Sequence, residues 1–512
     1  MAINPYGGGF SAPSQVTYLT SLRNQMNDLQ RQLGTNLKSE TYGGLGSERV
    51  LNLSMKQQLS EIGVYKQTIQ IADLRLSTLD QASERLEEIR IEAKAATDRN
   101  NFELFSDGRT STQTSTEIAL REFMAHLNTD VGGRYLFSGK TADTLPVQSL
   151  DFVLKGDGNY AGLKTVVGEY NQADLGALNN GRLTTARVGT QVSVAEDGAH
   201  PFGFKIDSVA SGASNVSITQ TAGPPASLDV DFTGQPQPGE TIRVFFSLPD
   251  GSKSEVEIGV FGGANDPEFT FQRGATPADT AQFFKDALDT ALQREANTEL
   301  KAASTVRATE AFFDTAPKSP VPPGYQPLAR VVPSAGPPVD FTTATSLRDG
   351  TNDTVAWYTG DNDLGDPRKD SRATIDENLT VNYGARANEA GYREVIQALA
   401  SFAVADFSNG QPDNQKFYEA MAQRSYDGLT PPGSESSGIR RNHMEFSAAQ
   451  RTVKDAETRH RVAEGSVKSV IDEIEGINKE EVATKLLSLR TALEVSYQAT
   501  SITLNLSLSN YL

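Results

Sequence analysis

The chain has no cysteine among its 512 residues. That excludes disulfides, thiolate metal sites and cysteine nucleophiles, and it suits a protein moved unfolded between compartments. Only four histidines are present, His126, His200, His443 and His460. They lie far apart and form no HExxH or other close pair, which points to surface or packing roles over metal ligation. No apolar run approaches the roughly 18–20 residues that span a bilayer, so no membrane insertion is expected. Positive charge is short as well: 47 Lys and Arg stand against 65 Asp and Glu, a formal net charge of −18. No basic stripe offers nucleic acid a footprint. The opening MAINPYGGGFSAPSQVTYL lacks the basic and apolar regions of a cleaved secretory signal, so export would need another route.

Catalytic motifs are missing too. The glycine runs Gly7–Gly9 and Gly43–Gly46 do not join a strand to a helix in a phosphate-binding pattern, and they read as hinges. Ser, Asp and His are scattered, and no GxSxG elbow occurs. The acidic loop Asp361–Asp370 (DNDLGDPRKD) resembles a calcium loop in composition but lacks the alternating order and closing Glu of one. The expectation is no enzyme, no catalytic residue, no cofactor and no metal.

What is present is a helical pattern at both ends. Leu19, Leu22, Met26, Leu29 and Leu33 recur at steps of three and four, one stripe of a helix. After TYGGLG at Thr41–Gly46 a second helix starts near Ser47, with Ile62, Tyr65, Ile69, Ala72, Leu76, Leu79, Leu86 and Ala93 on its seam. A third is predicted near Ser115–Asn128. Toward the other end the helices are Asn388–Phe407, Gln415–Tyr426 and Gly438–Glu475, the last carrying Phe446, Val453, Val462, Val467, Ile471 and Ile474. A final helix carries Val482, Leu486, Leu489, Leu493, Tyr497, Thr500, Leu504, Leu508 and Tyr511. Ile62–Ala93 and Phe446–Ile474 should pack on each other within the chain. The two outermost seams have no further domain to cover them, so they are expected to be assembly surfaces between subunits.

Between the ends, Ala142–Tyr383 is rich in Gly, Pro, Thr and Val. Thr241–Leu248 and Glu255–Val260, separated by Pro-Asp-Gly at 249–251, read as a β-hairpin. Ala278–Asn297 reads as one amphipathic helix and Pro317–Pro338 as an exposed linker. The predicted class is α+β: a long antiparallel helical bundle formed by both chain ends, with a β-rich central insertion. The expected domains are 1–46 with 478–512, 47–141 with 384–477, and the insertion 142–383 in two parts, about 142–265 and 266–383.

Particular stretches carry a resemblance. They are LGSERVLNLS at Leu45–Ser54, GRYLFSGK at Gly133–Lys140 (Gly133, Arg134, Tyr135, Leu136, Phe137, Ser138, Gly139 and the following lysine), WYTGD at Trp357–Asp361, VNYGARANE at Val381–Glu389, and SYQATSITLNLSLSNYL at Ser496–Leu512. In content and order they resemble the flagellin family, and within it the hook-associated protein 3 branch of hook–filament junction subunits. The resemblance implies a structural subunit of the extracellular bacterial flagellum, exported unfolded without a cleaved signal. The implied partners are copies of itself in a ring or tube, another hook-associated protein, flagellin and an export chaperone. Bulk flagellin is the alternative within the family. A surface adhesin-like module anchored by its helical ends is the alternative of another class.

Overall fold

The computed structural model describes residues 12–509 except 317, 335, 337, 409–412 and 434, with side chains from 16 to 502. In chain order the helices begin with α1 (Ala12–Thr35), α2 (Arg49–Ala96), α3 (Ser111–Leu127), α4 (Leu150–Lys155) and α5 (Leu163–Leu175). Eight strands follow: β1 (Leu183–Val188), β2 (Gln191–Glu196), β3 (Lys205–Ser211), β4 (Val216–Thr221), β5 (Ser227–Phe232), β6 (Thr241–Ser247), β7 (Lys253–Val260) and β8 (Phe269–Phe271). Then come α6 (Pro277–Glu295), α7 (Lys301–Phe313), α8 (Ala390–Val404), α9 (Asn414–Gly428), α10 (Gly438–Glu475) and α11 (Lys479–Ser509). Helices take 51% of the residues and strands 16%, so the fold is α+β with the helix share the larger.

Two compact units divide the chain. The first comprises the residues up to Ala72, Ala373–Thr380 and those from Thr452 onward. In it α1 lies against α11. Leu22, Val482 and Leu493 are buried, and Leu19, Met26, Leu29, Leu33, Leu486 and Leu489 half-buried. The chain leaving α1 is pinned to the end of α10, with Lys38 N donating to Glu475 O at 2.7 Å. Helices α2 and α10 run antiparallel: Lys56 pairs with Glu475 at 2.5 Å, while Lys66, further along α2, pairs with Glu464 at 2.6 Å, earlier in α10. Between these ion pairs Ile62, Val467 and Ile471 form an apolar cluster. Tyr65 stacks on His460 at 5.4 Å, and the His460 Nε2 lies 2.8 Å from Ile375 O.

The second unit comprises Asp73–Arg372 and Val381–Arg451. There α2 and α10 also run antiparallel, with Ser447 Oγ donating to Asp80 at 2.7 Å and Ser437, just before α10, donating through Oγ to Glu87 at 2.7 Å. Helix α8 packs on α3, α7 and α9. The strands form two four-stranded sheets, in the orders β1-β2-β5-β4 and β8-β7-β6-β3; all pairs are antiparallel except β7 with β8. Strands β2 and β5 alternate half-buried and buried residues, so Val192, Val194, Leu228, Val230 and Phe232 point to one face. That face and the inner residues of the other sheet share one core with Phe284, Leu288 and Leu292 of α6. Phe232, Phe271 and Phe284 stand 5.3–5.9 Å apart at tilted or edge-on angles. Helix α6 starts at a reciprocal capping box between Thr276 and Asp279 and continues into α7 through a π turn at Ala296–Leu300.

Several expectations are corrected. Domain limits at 46 and 478 do not separate compact units, because the divisions fall inside α2 and α10. The two sheets share a single core spanning Leu175–Ala303, not two subdomains divided near 265. Helices α4, α5 and α7 lie where β-rich chain was expected. In α5 the strand formers Val166, Val167 and Tyr170 are buried on one helical face, and tertiary burial overrides local preference. The supposed linker at 317–338 is docked in part, since Arg330 is buried and pairs with Glu169 of α5 at 2.8 Å.

Candidate assembly surface and the motif joint

The outermost seams do have a partner within the chain, contrary to expectation: each other. Burying both stripes at one interface removes from water the surface that a solitary amphipathic helix would leave exposed. Of the C-terminal seam, Tyr497 turns away and is 52% exposed. The side chains of Leu504 and Leu508, and Tyr511 altogether, lie outside the described residues.

A different apolar stripe faces outward. On α2, Val50, Leu53, Val64 and Ile71 are exposed, Val50 to 73%. Their steps of 3, 11 and 7 residues are close to whole helical turns, so the four share one face, away from Ile62 and Ile69, which are buried. Val462 on α10, and Leu487, Val495 and Ile502 on α11, are exposed as well. Sequence reasoning missed this stripe, although its signal was present: α2 is apolar on two faces, more than one intramolecular partner can cover.

The motif Gly133–Gly139 lies in the second unit. Its first half is a tight hairpin, Asp130 opposite Tyr135 and Val131 opposite Arg134, closed by Gly133 N donating to Asp130 Oδ2 at 3.0 Å. Gly133 and Arg134 are exposed at the tip and Tyr135 is half-buried, while Leu136, Phe137, Ser138 and Gly139 are buried. The buried half is laced to two of the other resemblance stretches, Trp357–Asp361 and Val381–Glu389. Ala387 N donates to Phe137 O at 2.8 Å, Gly139 N to Ala385 O at 3.0 Å and Asp361 N to Ser138 O at 2.9 Å. Phe137 meets Tyr392 edge-on at 5.5 Å.

Arg386 fills the centre of this joint. Its Nε donates to Asp370 Oδ2 at 2.5 Å, and its Nη2 to Asp370 Oδ1 at 2.9 Å and to Asp361 Oδ2 at 3.0 Å. Its remaining nitrogen, Nη1, donates to Asp363 O. Lys140 pairs with the Asp363 carboxylate at 2.7 Å. Three carboxylates of the acidic loop that resembled a calcium loop, those of Asp361, Asp363 and Asp370, thus face protein cations, while Asp366 accepts from Arg368 N. Gly139 has φ +65, and a Cβ there would stand 2.8 Å from Asp361 Cβ and 3.0 Å from Asp370 Oδ2, so conformation and space both call for glycine. Burial works against the charge on Arg386, yet Asp370 and Asp361 hold it above its ordinary range. The nearby Arg368 guanidinium bonds Glu389, pairs with Glu445 at 2.6 Å and sits 4.5 Å over the Phe446 ring.

The histidines pack and make polar contacts: besides His460 on Tyr65, His443 lies 2.9 Å from Asp80, His200 2.6 Å from Asp197 and His126 3.8 Å from Glu122. What the geometry offers is a hydrogen-bonded joint and an apolar helical surface. No family model matches the sequence, and no curated protein is significantly similar to it.

Proposed function

We propose that the chain is a structural subunit of the bacterial flagellum, of the flagellin family and its hook–filament junction branch, that acts by assembly and not by catalysis. The observation that carries this reading is the outward apolar stripe Val50, Leu53, Val64 and Ile71 on a helix whose opposite face is already buried. Such a stripe is stable in water only at a cost, and burying each of these side chains against a neighbour contributes about 1–2 kcal/mol. A long helix pair lined this way suits a tubular array, in which the same face of each copy meets a different face of the next and the contact propagates. The inner seams, Leu19–Leu33 with Val482–Leu493, hold the two ends of one subunit together and so present the stripe in fixed register. The partners in this reading are copies of the chain, another hook-associated protein, flagellin and a chaperone that escorts the C-terminal helix before assembly.

The reading is tested by deleting the gene in the source bacterium and imaging the cells by electron microscopy. Hooks without filaments, with flagellin released into the medium and filaments restored by the intact gene, are expected. Normal filaments on the deletion strain would refute the reading. Complete hooks carrying no filament and no released flagellin would instead favour the bulk filament subunit.

A further inference from the structure

A cavity of about 590 Å³ opens in the second unit beside the start of α7, lined by Gln113 of α3, Lys164 of α5, Lys301 of α7 and the chain from Ala403 to Asp406 at the end of α8. Lys301 is the first residue after the π turn. Its Nζ lies 4.3 Å from the centre of the Phe417 ring, and among the described residues no oxygen accepts a hydrogen bond from it. Burial pushes this amine below its ordinary value, with Asp406 the one opposing charge. Asp406 is engaged by Ser408 N at 3.0 Å. Asp406 is exposed, and against a partial desolvation Ser408, Lys301 and Lys164 hold its carboxyl below the ordinary value. Lys164 is exposed and forms no ion pair among the described residues. The third cation on the wall, Arg109, is already paired with Glu117 at 2.6 Å.

Gln113 supplies the complementary gap. Its Nε2 donates to Ala403 O at 3.0 Å and Ala405 O at 2.7 Å, which fixes the orientation of the amide. Its Oε1 is then left buried without a donor. A half-buried ammonium with no hydrogen-bond acceptor and only Asp406 as opposing charge, and a buried carbonyl lacking a donor, are both unfavourable, and the residues that carry them line one cavity. A single molecule bearing one negative charge and hydroxyl donors relieves both. A dianion fits less well, because Asp406 would repel its second charge.

We propose that this cavity binds a small hydroxylated carboxylate of the size of a uronic acid, its carboxylate paired with Lys301 and Lys164 and its hydroxyls donating to Asp406 and Gln113. The site is independent of the assembly surface, and a subunit of any polymer could carry it.

The test is calorimetric titration of the full chain with D-glucuronate, D-glucose and inorganic phosphate at neutral pH. It is paired with mass-spectrometric measurement of how fast an amine-reactive ester labels each lysine. Glucuronate is expected to bind saturably and to slow labelling of Lys301 several-fold. Glucose is expected not to bind, and phosphate to bind more weakly than glucuronate. K301Q should weaken glucuronate at least tenfold and K164Q by a smaller factor, with the thermal unfolding of both unchanged. If K301Q does not fold, protection of Lys301 in the unaltered chain decides. The proposal is overturned if glucuronate does not bind, if glucose binds as well, if phosphate binds more tightly, or if glucuronate leaves the labelling of Lys301 unchanged.

Discussion

Glu295 closes α6 immediately before the π turn, and replacing it by Gln should stabilise the second unit at pH 8 but hardly at pH 5. Burial pushes its carboxyl from 4.5 up to about 7, and the Glu299 charge acts in the same direction. The Ser254 hydroxyl, which donates to Oε1, and the cations Arg424 and Lys416 oppose this without cancelling it. A carboxyl whose folded value is raised keeps in the native state a proton that the unfolded chain has lost. Stability therefore declines as pH rises from 4.5 to about 7, and above that window the folded state carries the full cost of a buried charge. The gap of about 2.5 pH units corresponds to about 3 kcal/mol at roughly 1.36 kcal/mol per unit. Glutamine is uncharged, close in shape, and keeps an acceptor for Ser254. The assay is denaturant unfolding followed by tryptophan emission, because Trp357 is the only tryptophan of the chain and is buried in this unit. E295Q should gain up to about 3 kcal/mol at pH 8 and well under half of that at pH 5. An equal gain at both pH values, or a loss at pH 8, would refute the assignment of a neutral buried carboxyl.

Other substitutions probe the joint and the helix pair. Gly139→Ala meets both a positive φ and a 2.8 Å approach to Asp361 Cβ, and should cost about 1–3 kcal/mol in the same fluorescence assay. Arg386→Met strands Asp370 and Asp361, whose side chains are almost fully buried, and should cost about 3–5 kcal/mol, with part of the loss recovered by adding Asp370→Asn. Replacing Leu489 and Leu493 together by Asp puts charges into the contact between α1 and α11. Protease sensitivity of both ends should rise and helicity fall while Trp357 emission holds; unchanged protease resistance would show that this contact is not what orders the ends.

Long periodic segments were the legible part of the fold. Helix α10 runs over the Gly438–Glu475 span expected from Phe446, Val453, Val467 and Ile471, because a stripe sustained for many turns has no reading other than a helix. The hairpin β6–β7 follows from alternation on either side of Pro-Asp-Gly. Helices α5 and α7 were hidden by their β-branched and hydroxyl residues, whose local preference is weak and whose burial is decided by chain far away. Periodicity marks a stripe without saying what covers it: Leu22 and Leu493 are 471 positions apart, so their shared burial could not be read from either helix alone. The joint was visible as three stretches of resemblance. Its centre was not, because Arg386 stands 16 and 25 positions from the two aspartates it holds, and only the folded loop brings them together.

The proposed assembly runs through the outward stripe of the helical ends. Its most direct test is Val64→Asp with Ile71→Asp, two exposed positions on α2 that leave Ile62 and Ile69 untouched. The double variant, expressed in a deletion strain, is followed by electron microscopy of the cells, detection of the secreted chain, and circular dichroism of the purified protein. Unchanged helicity and normal secretion are expected, with hooks that fail to retain filaments, because each charge would enter an apolar contact between subunits. Normal filaments on cells that make only the double variant would contradict it.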